Sequence, residues 1–203
     1  MIFGWVCAKV RKKGGIMKFL ISLLCVTALS NCFADQEQKP VTCMWIGCSA
    51  SKAVAGQTLN LSPDELCVQA NLANLFAKSD PSAESALRHA VDAEKVAQIV
   101  VCGTYGCPGV REALIQEQSE GSWLYAVRQL YIQNKDELDK IPDETKRVNR
   151  LVELNVLKQV ENVRAHPIVE AAGQRKQPLK IIGMVHDPRA TSGVELICVQ
   201  VDK

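Results

Sequence analysis

The chain has 203 residues, 47% of them hydrophobic and 23% charged, with a formal net charge of +2. That length and apolar fraction suit one globular domain with a substantial core. The charge is too weak and scattered for a nucleic-acid partner, and aromatic residues at 5% leave no stacking surface.

Lys9, Arg11, Lys12 and Lys13 form the basic cluster of the N-terminus, upstream of a targeting signal. In that signal Lys18 precedes the apolar run Phe19 to Leu29, too short for a comfortable membrane span. Small residues follow in SNCFADQ, so cleavage after Ala34 is expected. Residues 1–16 read as an upstream extension, which leaves Met1 or Met17 as the start, and 17–34 as a signal peptide. An alternative is a lipoprotein signal with Cys32 acylated, although Asn31 is an atypical neighbour for that chemistry. Either way residues 35–203 are expected to form a single exported domain, periplasmic if the host is bacterial, with no membrane span.

Past residue 34 the cysteines are Cys43, Cys48, Cys67, Cys102, Cys107 and Cys198. An even count in an exported chain points to disulfides. Against that, Cys43, Cys67, Cys102 and Cys198 sit inside apolar runs, where free cysteine acts as a small hydrophobe.

The periodicity alternates. Val41–Gly47 reads as an apolar strand ending at Cys48, and Leu66–Val68 as a short second strand. Ala83–Ala97 carries Ala86, Leu87, Ala90 and Val91 at helical spacing. Gln98–Gly103 is a near-continuous apolar strand, as expected when both faces of a sheet are covered. Pro108 opens a helix, Ser122 is a candidate cap for another, and Thr145–Arg164 is the longest, with Val148, Leu151, Val152, Val156, Leu157, Val160 and Val163 spaced for burial. Leu179–Val185 and Val194–Val201 read as the fourth and fifth strands. The alternation predicts an α/β fold with a mostly parallel central sheet flanked by helices. Ligands of such sheets bind at the C-terminal strand ends, so Cys48 and Cys107, each just past a strand, are expected to converge.

Four blocks, MWIGCSASK, SPDELCVQANLAN, AVDAEKVAQIVVCGTYGCPGV and RLVELNVLKQVENV, resemble in order the signatures of β-class carbonic anhydrases. The resemblance covers about Val41 to Val201. It implies an α/β zinc enzyme, built on a dimer, that hydrates carbon dioxide to bicarbonate and a proton. Zinc in that family is held by a cysteine after the first strand and by the histidine and cysteine of a CGHxxC pattern. A fourth position stays open for water, whose pKa the metal lowers toward 7. The first cysteine opens a CxDxR motif whose aspartate meets the metal-bound hydroxide and whose arginine controls the aspartate.

Carried over by position, Cys48 and Cys107 match the two zinc cysteines, while Thr104 stands at the histidine. Ala50 stands at the aspartate and Lys52 at the arginine, and HRNxAN reads Gln69-Ala70-Asn71-Leu72-Ala73-Asn74. Scaffold residues survive: Trp45, Gly47, Asn71, Asn74, Gly103, Gly106 and Gly109. The changes fall on the groups that bind metal or handle the proton. A neutral hydroxyl is a poor zinc ligand, and lysine lacks the bidentate fork that clamps a carboxylate. The N-terminal arm that wraps the family dimer is missing from the mature chain, which puts a homodimer in question.

Three readings follow. The first is a catalytically inactive carbonic-anhydrase-like protein with a binding or structural role, holding zinc weakly or not at all. The second is an active or altered zinc enzyme with a substitute ligand. His89 reads as a surface residue, His166 as solvent-facing in the turn before Pro167, and His186 as the best-placed substitute. The third is a thiol or disulfide site at Cys48 and Cys107. Gly103–Gly106 lacks the spacing of a phosphate loop. Asp136, Glu137 and Asp139, and the charges between Glu144 and Arg164, read as solvated faces.

Overall fold

A computed structural model of the chain describes residues 39–53, 55–77 and 80–190. The expected signal segment and fifth strand lie outside these residues. The elements in order are β1 (Cys43–Cys48), α1 (Ala55–Leu59), β2 (Leu66–Asn71), α2 (Pro81–Arg88), β3 (Gln98–Thr104), α3 (Pro108–Ile115), α4 (Tyr125–Gln133), α5 (Lys135–Leu138), α6 (Glu144–Arg164), α7 (Pro167–Gln174) and β4 (Lys180–His186). The strands pair in the order β2-β1-β3-β4, every pairing parallel. That is the α/β architecture the alternation predicts.

Helix starts follow local chemistry. Asp80 accepts from the Ser82 and Ala83 amides ahead of α2, and Asp143 accepts from Lys146 N at 2.9 Å ahead of α6. Each satisfies donors that a first helical turn leaves orphaned. Ser122 is not the expected cap: α4 begins at Tyr125, and the Ser122 hydroxyl bonds Gln118 instead. The helix expected over 83–97 ends earlier, passing at His89 into a π turn over His89–Ala93.

The strands alternate their side chains between two faces. Met44, Ile46, Ile99 and Val101 face the main core, which α6 covers with Val148, Leu151, Val152, Val156 and Val160. Cys43, Trp45, Val100, Cys102 and Met184 form a smaller cluster joined by Ala55 of α1. Gly103 lets α6 lie directly on β3: a Cβ there would sit 2.6 Å from Val156 Cγ2 and 2.9 Å from Val152 Cγ1. Gly109 does the same for the start of α3, where a Cβ would meet Leu72 Cγ at 2.7 Å. Arg128 ties α4 to the end of α3, donating to the Leu114 carbonyl at 2.8 Å while pairing with Glu117.

His166 is corrected by the structure. It is 5% exposed, accepts from Ile168 N at the start of α7, and stands edge-on to Phe76 with ring centroids 5.6 Å apart. Packing against a ring far away in sequence, rather than the His-Pro turn itself, sets its burial. His89 is exposed, as expected, and pairs with Glu94 at 3.3 Å.

Candidate functional site

The parallel register brings the C-terminal ends of β1, β3 and β4 to one edge of the sheet. Gly47 lies beside Cys102, and Thr104 beside His186. Cys48 ends β1, and Cys107 caps the start of α3, directly after the loop Tyr105–Gly106 that leaves β3. Their sulfurs are 3.4 Å apart and buried, at 5% and 1% exposure. The convergence expected from the strand ends is present in the geometry.

Backbone amides surround the two sulfurs. Cys48 Sγ faces the N–H groups of Ala50, Ser51 and Ala73, and Cys107 Sγ those of Gly109 and Val110 in the first turn of α3. The proton is unequally shared. The contact between the two sulfurs, in which either thiol can donate, lowers the Cys48 thiol to about 6 against its usual 9.0, the backbone donors helping and burial opposing. Cys107 is pushed well above the usual thiol range by the same contact and by burial. Cys43 and Cys102 are raised by burial to about 11 and about 12, which fits their reading as inert core residues.

A depressed thiol contributes stability that is fully present above its unfolded value of 9.0 and is lost as pH falls through about 6. Reduced wild-type protein should therefore gain denaturation midpoint relative to Cys48→Ser as pH rises from about 6 toward 9.0. A pH-independent difference between the two would contradict the unequal sharing.

Thr104 does not join the sulfurs. It is 4% exposed, and its hydroxyl lies 3.3 Å from His186 Nδ1 and 3.4 Å from the His186 carbonyl. In strand alternation Thr104 and His186 share the face opposite Gly103, whereas Cys48 and Cys107 belong to the main core. His186, the best-placed substitute ligand by sequence, thus hydrogen-bonds Thr104. Asp187 beside it is 8% exposed and pairs with Arg189 at 3.1 Å, which holds its carboxyl below the usual range. Ala50 and Lys52 are exposed in the turn after β1, so neither contributes an acceptor at the sulfurs.

Sequence reading missed the scaffold behind Cys48. Ala73, whose amide serves Cys48, has φ of +67°, a left-handed conformation costly for alanine. Asn155 of α6 holds its carbonyl at 2.8 Å. Gln159 accepts from Phe76 N at 2.9 Å and donates to Asn155 Oδ1 at 2.9 Å, and Asn71 clips the same turn through Leu75. The signal was there: Asn155 and Gln159 stand four residues apart on the apolar stripe of α6, where buried polar groups need partners. Gln159→Leu should cost about 1–3 kcal/mol in chemical denaturation, because it strands the Phe76 amide and Asn155.

A cavity of about 380 Å³ opens beside Cys48, lined by Trp45, Gly47, Ser51, Leu66 and Val68 among others. Among the described residues no three His, Cys, Asp or Glu side chains gather as a metal-binding group.

The family model for carbonic anhydrase matches residues 43–192, most of the chain. The chain belongs to the β-carbonic anhydrase family. It is 39% identical over 129 residues to a carbonic anhydrase of Emericella nidulans, covering 63% of this chain and 57% of that protein. It is 34% identical over 156 residues to one of Candida albicans, covering 75% and 54%. The chain thus spans little more than half the length of these curated relatives. Among solved structures it resembles a Coccomyxa β-carbonic anhydrase in complex with acetazolamide, with TM-score 0.74, 30% identity and 91% and 86% of the two chains covered. It also resembles a tetrameric β-carbonic anhydrase from Sordaria macrospora, with TM-score 0.70, 26% identity and coverage of 89% and 97%.

The β-carbonic anhydrase family is zinc-dependent, and its donor set can be tested against these residues. Two thiols are in place. The third position carries a hydroxyl turned to His186 Nδ1, and the carboxylate position is an exposed alanine. A catalytic zinc site uses three protein ligands plus an open position. The described side chains do not fit that set.

Proposed function

We propose that this chain is a β-carbonic anhydrase family protein without carbon dioxide hydration activity, whose Cys48/Cys107 pair serves a binding or structural role. The observation that carries this reading is the direction of Thr104, which faces His186 while the two sulfurs meet without a third donor among the described residues. Ala50 adds the loss of a proton acceptor at the same edge. The test is zinc content and stopped-flow carbon dioxide hydration of the purified full chain. Substoichiometric zinc and a rate equal to buffer are expected. Stoichiometric zinc with fast hydration would establish the active alternative.

A second reading is favoured by the 3.4 Å separation: in an oxidising compartment, and the N-terminal sequence reads as an export signal, Cys48 and Cys107 close into a disulfide that takes the metal's place as a staple. The bond itself is about 2 Å, so closure needs a modest approach of the two sulfurs. Intact-mass measurement before and after alkylation under non-reducing conditions distinguishes the two. A free pair in freshly purified protein rules the staple out.

A further inference from the structure

The paired thiols point to a ligand of their own. Resting on the reading that the site binds rather than catalyses, we propose that Cys48 and Cys107 form a bis-thiolate site for a soft monovalent metal ion, copper(I), in place of zinc. The argument begins with donor count. Zinc is at home with four ligands, and two sulfurs supply half of them. Soft thiolates select copper(I), which takes so few donors readily.

Geometry agrees. Two metal–sulfur bonds of about 2.3 Å hold their sulfurs roughly 4.0 Å apart in a trigonal arrangement and roughly 4.6 Å apart in line. The pair stands at 3.4 Å, so the trigonal arrangement needs an opening of about 0.6 Å and a tetrahedral one about 0.4 Å; the separation admits a metal, and the donor count selects which. Cys48 lines the cavity at the strand ends, which is the side from which an external third donor, such as a small thiol, would approach.

Charge agrees as well. One copper(I) held by two thiolates forms a complex of net charge −1, any remaining thiol proton passing to solvent. The amides of Ala50, Ser51, Ala73, Gly109 and Val110 point at the sulfurs and offset that charge. With Ala50 where the family places a carboxylate, no acidic group of that motif adds to it. The amide cradle suits an anionic complex.

The experiment uses the full chain, reduced and kept anaerobic, titrated with copper(I) in competition with a copper(I)-specific chelator, and in parallel with zinc(II). One equivalent of copper(I) held against the chelator is expected for wild type and lost in Cys48→Ser and in Cys107→Ser. Zinc should wash out on dialysis. The copper K-edge spectrum should show sulfur ligation. Peptide mapping of wild type gives a second readout that does not depend on a buried cysteine variant folding: one equivalent of copper(I) should shield Cys48 and Cys107 from a maleimide. Failure to retain copper, with hydration also absent, overturns this inference and leaves the non-catalytic reading standing. A Cys48–Cys107 disulfide that survives the reductant does the same in favour of the staple. Retained zinc with fast hydration overturns both readings.

Discussion

The variant Thr104→His/Ala50→Asp/Lys52→Arg should take up one equivalent of zinc, where wild type is expected to retain little. A histidine at 104 starts from a position that faces His186, so its longer side chain has to reach back past the end of β3 to the sulfurs, which stand side by side at 3.4 Å. The loop is firmly held: Tyr105 bonds Glu153 at 2.8 Å and Gly106 N bonds Asn149 at 3.1 Å, both on α6. Its backbone therefore has little freedom to lose on binding, and the new histidine ring has to make the whole of that reach. Thr104→His alone should restore zinc content, read by elemental analysis after dialysis. Hydration should follow only when Ala50→Asp is added, because zinc content depends on the donors and turnover on a correctly placed acceptor. Lys52→Arg supplies the planar fork that fixes that carboxylate. A triple variant that folds but stays free of zinc would show that the scaffold itself has drifted from the metal-binding geometry.

His186 complicates the substitution in a measurable way. Replacing Thr104 removes the hydroxyl 3.3 Å from His186 Nδ1, leaving that buried nitrogen to find another partner. A companion His186→Asn change should therefore raise the stability of the triple variant without altering its zinc content. A drop in zinc would instead assign His186 to the metal.

The difference between what the sequence disclosed and what it concealed follows from the range of the interactions involved. Strand ends and small-residue loops are local, so the meeting of Cys48 and Cys107 was legible from two apolar runs that break into turn residues. The side on which Thr104 faces was not, because it depends on the register Thr104 to His186, and α3 through α7 lie between those strands. His166 was misread for the same reason: its partner Phe76 lies in another part of the chain. The π turn at His89–Ala93 was hidden because it widens a helix without breaking its apolar stripe. Asn155 and Gln159 were visible as polar interruptions of that kind of stripe in α6, but only the structure shows that they hold the turn carrying Ala73.

The contact between α6 and β3 yields the second large effect. Gly103→Ala should destabilise the chain by about 1–3 kcal/mol, the usual cost of forcing a methyl into a filled core. The added carbon would fall 2.6 Å from Val156 Cγ2 and 2.9 Å from Val152 Cγ1, on a helix whose buried valines leave it little room to retreat. Val156→Ala by itself leaves a cavity, for a loss of about 1–3 kcal/mol. Combined, the two changes should be less damaging than their sum by about 0.5–3 kcal/mol, since the removed methyls make room for the added one. The residue after Gly103 is Thr104, so the same pair tests the coupling of core to site. If α6 sets the height of the loop over the sheet, Gly103→Ala should alter the maleimide reactivity of Cys107, and Val156→Ala should bring it back. Strict additivity of the stabilities, with the thiol unaffected throughout, would show that β3 and α6 adjust independently and that the helix does not position the cysteine.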